Sequence, residues 1–282
     1  MKCTITQIQC QKVLAESSIP LGDYVINPYR GCSFACRYCY VQKNKGVQKR
    51  NAPWGSFVDV KVNAPEVLEK ELAQKSPTRV LISSTTESYQ PIEEKYKIMR
   101  EILKILNNHQ IGYTILTKSP LIIRDCDLLS ANEKSEIYFT VNPYTEEIRK
   151  VIEPATVSFT RRKETIKRLI DCGIRTHVYV NPVIPNLIDP AYIFSEFKNI
   201  TKYIDFEGIN VKMIDWPVIK ASLSKHVFPK IDEINNIFTQ RQAWDNYWEH
   251  LGTKIQNENS SYNYNIRTFF HPIEHYFGVL SY

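Results

Sequence analysis

Short apolar runs and helical stripes alternate along this chain. Runs rich in Val, Ile, Tyr and Thr predict strands at Arg79–Ser83 (RVLIS), Gly112–Leu116 (GYTIL), Ile137–Val141 (IYFTV), Thr176–Val180 (THVYV) and Ile209–Met213 (INVKM). A further strand is expected near Tyr24–Ile26. Between them lie helical patterns. EEKYKIMREILKILNNH (Glu93–His109) places Tyr96, Met99, Ile102, Leu103 and Leu106 on one stripe. Phe159–Gly173 turns Ile166, Leu169 and Ile170 inward and ends on a capping glycine. Ala191–Ile204 follows Asp189-Pro190, a helix-start signal.

Strand and helix alternating about six times imply a parallel sheet, and right-handed crossovers curl it. The expected fold is α/β, a partial (β/α)6 TIM-type barrel with a C-terminal extension. The expected division is an N-terminal segment over 1–23, the barrel over 24–223 and the extension over 224–282. Chemistry in such folds sits at the C-terminal strand ends. The polar residues there are Ser83–Glu93 (SSTTESYQPIE), Thr117-Lys118-Ser119, then Thr140 and Asn142, then Asn181–Asn186, then Asp215 and Trp216. The loop after the first strand carries Cys32, Cys36 and Cys39.

The 282 residues suit one large domain or two small ones, and 43% hydrophobic residues suffice for a full core. A formal charge of +6 permits contact with nucleic acid, although an ordinary soluble surface rich in lysine accounts for it as well. No apolar run approaches the roughly 20 residues of a membrane span. The N-terminus lacks the apolar region of a signal peptide, so a cytoplasmic protein is expected. Seven cysteines, three of them clustered, suggest metal or redox chemistry rather than disulfides.

The cluster reads GCSFACRYCYV, with spacing Cys-x3-Cys-x2-Cys. Thiolates favour zinc, Cu(I) and iron–sulfur clusters. Structural zinc takes four ligands, and no fourth lies at finger distance. An iron–sulfur cluster with three protein ligands keeps one iron open for a small molecule. Cys3, Cys10, Cys126 and Cys172 are scattered and receive no role. His271 and His275 could share a helical face, but Pro272 argues for an irregular segment. The basic run of Lys43, Lys45, Lys49 and Arg50 could meet phosphates, or be a solvated loop. Tyr247, Trp248, Tyr262, Tyr264 and Tyr276 could stack on bases, or be core and lid aromatics.

The triplet followed by an aromatic, Tyr40, resembles the signature of the radical S-adenosylmethionine (radical SAM) superfamily. Further stretches resemble its spore photoproduct lyase-like branch. They are NPYRGCSFACRYCYV, SSTTESYQPIE (with Glu87 where the branch has Asp), LTKSPLIIRDCDLL, IEPATVSFTRRKETIKRLIDCGI and PVIPNLID. Together they run from Pro28 to about Asp215, and TFFHPIEHYF faintly resembles the branch's C-terminus.

The resemblance implies a 4Fe-4S cluster on Cys32, Cys36 and Cys39, with S-adenosylmethionine bound at its open iron. Reductive cleavage would release a 5′-deoxyadenosyl radical that abstracts hydrogen from a substrate. Tyr40 would lie near the adenine. Ser84, Thr85, Thr86 and Glu87 would meet the methionine amino group, Lys118 its carboxylate, and Thr140 and Asn142 the ribose hydroxyls. An electron donor such as flavodoxin or ferredoxin is implied. The substrate would be nucleic acid, or else a small metabolite, nucleoside or peptide. The lyase's hydrogen-returning cysteine has no counterpart, because Ser84 or a neighbour holds its place; the same dimer repair is not expected. From another class stands a non-catalytic zinc or iron–sulfur binding module.

Overall fold

The computed structural model describes residues 3–270. Their strands are β1 (Thr4–Ile8), β2 (Leu14–Glu16), β3 (Tyr24–Ile26), β4 (Tyr29–Arg30), β5 (Phe57–Lys61), β6 (Arg79–Ile82), β7 (Gly112–Thr117), β8 (Glu136–Thr140), β9 (Thr176–Val183), β10 (Tyr203–Gly208) and β11 (Asn265–Phe269). Eight form one sheet in the order β11-β10-β9-β8-β7-β6-β3-β2. All its pairings are parallel except β2 with β3. The sheet does not close on itself, so the fold is a partial TIM-type barrel. A small second sheet, β1-β5-β4, flanks it.

The two faces of the sheet have different chemistry. Ile137, Phe139, Val178, Val180, Ile204 and Phe206 are fully buried. This is the face that the helices cover: Phe206 meets Phe194 of helix Pro190–Glu196 edge-on at 6.0 Å. The alternate residues face inward and are polar. Tyr138 stacks on His177 at 4.5 Å, and the Tyr179 hydroxyl donates to Glu207. Alternation with period two places these residues on one side.

The helix expected over Glu93–His109 is two helices, Glu93–Tyr96 and Ile98–Asn108. Lys97 between them is left-handed, at φ 54. Most of the expected stripe is buried nonetheless: Met99, Ile102, Leu103 and Leu106 reach no solvent, and Tyr96 is half-buried. A residue with a Cβ is strained in that conformation. Lys97→Gly should therefore raise unfolding stability by about 0.5–1 kcal/mol, read from urea titrations.

The expected sixth strand is displaced. Ile209–Met213 contains a single turn of 3-10 helix at Val211–Met213, and the strand is the preceding YIDFEG of β10. Its Asp205 and Glu207 point into the barrel, and these charges hide the strand from a search for apolar runs. The helix expected over Ala191–Ile204 stops at Glu196, and Asn199 turns left-handed at φ 62. Residues 203–204 belong to β10.

Helices Trp216–Val227, Lys230–Thr239 and Arg241–Asn259 follow β10, and β11 then returns as a seventh parallel strand. Trp244, Trp248 and Tyr264 are buried in the core, and the Tyr264 hydroxyl donates to the Phe194 carbonyl at 2.7 Å. They are packing aromatics rather than an exposed stacking platform. His271, His275 and Tyr276 lie outside the described residues. Cys126 and Cys172, distant in sequence, meet in space. Burial and the neighbouring Cys172 thiol push the Cys126 thiol up to about 12.

Candidate functional site

β3 leads to Asn27, and the chain crosses β4 into the cysteine loop. Gly31 opens the loop at φ +87, where a Cβ would lie 2.4 Å from the Phe57 carbonyl oxygen. Ala35, inside the x3 spacer, is also left-handed at φ 54. Gly55 makes room for it, since a Cβ there would lie 2.3 Å from the Ala35 Cβ. These two close approaches wrap the loop. Cys32 and Cys36 are buried with Phe34, and Cys39, Tyr38 and Trp54 pack against them.

The cysteine thiols are free. Burial pushes all three up, Cys39 to about 12, and neighbouring thiols add to the rise on Cys32 and Cys39. Lys118 opposes the rise at Cys36, because its Nζ lies 3.9 Å from the sulfur. Among the described residues no three His, Cys, Asp or Glu side chains converge tightly enough for one metal ion. A four-iron cube spreads its ligands more widely than one ion does. Two buried thiols and a half-buried third on one wrapped loop, beside the half-buried Lys118 cation, are therefore a donor set that fits a cluster.

The segment after β6 braces this loop. Ser83 leaves the strand at φ 75. The Asn27 side chain donates to Ser84 Oγ at 3.0 Å and accepts from the Thr85 N–H at 2.9 Å. Thr86 Oγ1 donates to the Gly31 carbonyl at 2.7 Å. Gln90 Oε1 accepts from the Ser33 N–H at 2.9 Å, and Glu93 accepts from the Tyr29 hydroxyl. Tyr40, the most exposed member of the site, donates to the Ser84 carbonyl at 2.6 Å.

Glu87 is buried and fully engaged with the ends of β6 and β7. Its carboxylate accepts from Thr117 Oγ1 at 2.7 Å, from the Tyr89 N–H at 2.9 Å and from the Lys118 N–H at 3.0 Å. Burial still outweighs these bonds and leaves its carboxyl raised. Lys118 donates to the Tyr38 hydroxyl at 3.0 Å. Burial pulls its ammonium down, but Cys36 and Glu153 more than offset this.

Tyr38 connects to a buried ion pair that sequence reasoning did not assign to the site. Its hydroxyl donates to Glu153, which pairs with Arg162; both side chains are essentially inaccessible. Thr156 Oγ1 donates to Glu153 at 3.1 Å and accepts from Arg162 at 2.7 Å. Burial pushes the Glu153 carboxyl up, and Arg162 and Lys118 reverse it, holding it at about 2. The signal was present in the segment IEPATVSFTRR, where an acid and an arginine nine residues apart flank a helix cap: Ser158 accepts from the Arg161 N–H.

Asn142 donates to the Asn181 carbonyl at 2.9 Å, while its buried Oδ1 has no partner. Thr140 is buried beside it at the end of β8. On β9 and β10, Asn181 donates to Glu207 at 2.7 Å at the same mouth. The basic run is partly engaged within the chain. Lys43 donates to the carbonyls of Lys212 and Ile214 at 2.6 and 3.0 Å, and Arg50 lies 3.4 Å from Asp59.

Residues 26–190 match the family model of the Radical SAM superfamily. The chain belongs to the radical SAM superfamily. An uncharacterised protein of Methanocaldococcus jannaschii is 36% identical over 216 residues, which cover 75% of this chain and 80% of the relative. A radical SAM Nalpha-GlyT isomerase of Pseudomonas phage M6 is 25% identical over 224 residues, 77% of this chain and 46% of the phage protein. Among solved structures, a spore photoproduct lyase variant superposes with a TM-score of 0.70 at 17% identity, covering 95% of this chain and 82% of the lyase. The lyase complexed with dinucleoside spore photoproduct gives 0.68 at 16% identity, with the same coverage. These likenesses show the fold. No described helix is long and apolar enough to cross a membrane.

Proposed function

We propose that this radical SAM protein is an enzyme that abstracts hydrogen from a nucleoside unit of nucleic acid. The observation that carries the catalytic half is the buried loop with three free thiols set against Lys118. The substrate half rests on relatives: one structural neighbour binds a dinucleoside photoproduct, and one sequence relative is named for a GlyT isomerisation.

Cys32, Cys36 and Cys39 would hold a 4Fe-4S cluster, which with bound S-adenosylmethionine supplies the electron that breaks a carbon–sulfur bond of the sulfonium. The chain's own residues have distinct tasks. Lys118 sets positive charge beside the Cys36 sulfur, and Tyr38, fixed by Glu153, holds Lys118 there. Phe34 and Trp54 keep water from the thiols. Glu87 locks the backbone at Lys118, and it and Ser84, Thr85 and Thr86 would meet an amino group. The orphan Oδ1 of Asn142 is an acceptor that a ribose hydroxyl would satisfy. Tyr40, tied to Ser84, stands at the entrance as an adenine contact. A flavodoxin or ferredoxin would deliver the electron.

The test is anaerobic. Iron-loaded protein with dithionite and S-adenosylmethionine should yield 5′-deoxyadenosine; a chain that takes up one zinc and no iron would sink the reading. Ser84 offers a hydroxyl, whose O–H bond is too strong to return hydrogen to a carbon radical. Ser84→Cys should therefore change the ratio of substrate-derived products, measured by mass spectrometry. An unchanged ratio would place Ser84 away from the substrate radical.

A further inference from the structure

The cysteines occupy the end of the sheet where the strands finish. Where β8 to β11 begin, at the opposite end, lies a separate cavity of about 610 Å³. Glu136, Arg175, His177 and Arg267 line it, together with the rings of Tyr203 and Tyr264 and the second half of helix Arg241–Asn259.

His177 is its centre. The side chain is 5% exposed and lies between Tyr138 at 4.5 Å and Tyr203 at 4.7 Å. Nδ1 is engaged by the buried Asp205 carboxylate at 2.6 Å. Nε2 has no hydrogen-bond partner. Glu136 Oε2 is 3.4 Å from it, within ion-pair reach. A buried, oriented ring nitrogen thus borders the cavity with only the ionic attraction of Glu136 and no hydrogen bond, and buried polar groups ordinarily have one.

Two arginines of the lining carry the positive charge. Arg267 spends Nε and Nη2 on Asp205 and Tyr138, its Nη2 also lies 3.0 Å from His177 Nδ1, and none of these contacts uses Nη1. Arg175, half exposed, is 3.7 Å from Glu136, and Arg79 is 3.6 Å from it. Asp205 and Glu136 both favour the protonated His177 ring, which burial opposes. Of the three arginines, Arg175 and Arg267 line the cavity with the His177 ring, while Arg79 only neutralises Glu136 from outside it.

The helix wall leaves space. Gly252 sits within helix Arg241–Asn259, where glycine is disfavoured. A Cβ built on it meets nothing within 4 Å, so its absence widens the cavity.

We propose that this cavity is a second ligand site, one for a small molecule carrying a phosphate or carboxylate group, which His177, Arg175 and Arg267 bind. The tyrosine rings line the remaining volume for the organic part of the ligand. The site shares no residue with the cysteine mouth.

Isothermal titration calorimetry on the full chain tests this, with inorganic phosphate, adenosine monophosphate and malonate as probes at fixed ionic strength. One saturable site is expected. Arg175→Gln should weaken it at least about tenfold, as the loss of a charge-assisted contact does. Gly252→Phe should abolish it by filling the cavity. Both variants should keep the wild-type unfolding midpoint and the wild-type yield of 5′-deoxyadenosine. Tighter adenosine monophosphate than malonate assigns a phosphate ligand, and the reverse a carboxylate. No saturable heat with any probe, or unchanged affinity in both variants, overturns the proposal.

Discussion

Cys36→Ala should leave a folded chain that retains little iron and produces no detectable 5′-deoxyadenosine from S-adenosylmethionine. Cys36 is the middle ligand of the loop and lies against Lys118, so its loss removes both a donor and the partner of a half-buried cation. The fold should survive, because the loop is wrapped by Gly31, Ala35 and Gly55 and braced through Gln90 and Thr86, none of which uses the Cys36 sulfur. Circular dichroism would record the fold and iron analysis the loss. Cys126→Ala serves as the contrast: its thiol meets Cys172 on another part of the molecule, so iron and product should stay at wild-type levels. Lys118→Met should keep the ligands and lower activity by about 10–100-fold, the usual effect of losing a group that supports a metal ligand.

Arg162→Met should cost about 3–5 kcal/mol of unfolding stability, because it strands the Glu153 carboxylate in the interior. Urea titration at neutral pH measures it. Glu153→Gln in the same chain should recover part of the loss by removing the unpaired charge. The pH dependence has a definite sign. The folded Glu153 carboxyl is held at about 2, below its ordinary value of 4.5. Its contribution is therefore complete above about pH 4.5 and disappears as the pH falls toward 2. Arg162→Met should flatten that acid limb. The same network fixes Tyr38 and hence Lys118, so cluster loading should also fall, although neither variant touches a thiol.

Much of this arrangement was legible in the chain. The three cysteines on one loop, the polar residues after β6, β7, β8 and β9 and the apolar stripe of Met99, Ile102, Leu103 and Leu106 are all present in the fold, whereas Asp215 and Trp216 begin a helix rather than end a strand. Three features were not. β10 was obscured because Asp205 and Glu207 alternate with Ile204 and Phe206, and burial of those acids depends on partners as distant in sequence as Arg267. Lys97 breaks a periodic helix through a left-handed residue that its sequence does not advertise. The Glu153–Arg162 pair reads as ordinary helix-flanking charge until Tyr38 arrives from a loop more than a hundred residues earlier. For β10 and the Glu153–Arg162 pair a non-local polar contact decided the outcome, and hydrophobic periodicity carries no record of such contacts. Ser84, Thr85 and Thr86 also gained a role. Besides the cofactor contact proposed for them, they tie the β6 exit to Asn27 and Gly31, which sets the cysteine loop.

The most direct measurement is deuterium transfer. The protein, loaded with iron under argon and reduced with dithionite, is given S-adenosylmethionine and an oligonucleotide deuterated on its thymidines. The account predicts 5′-deoxyadenosine heavier by one deuterium, in amounts that follow the modified oligonucleotide. Unlabelled 5′-deoxyadenosine with the oligonucleotide unchanged, alongside transfer from a deuterated small metabolite or peptide, would contradict it.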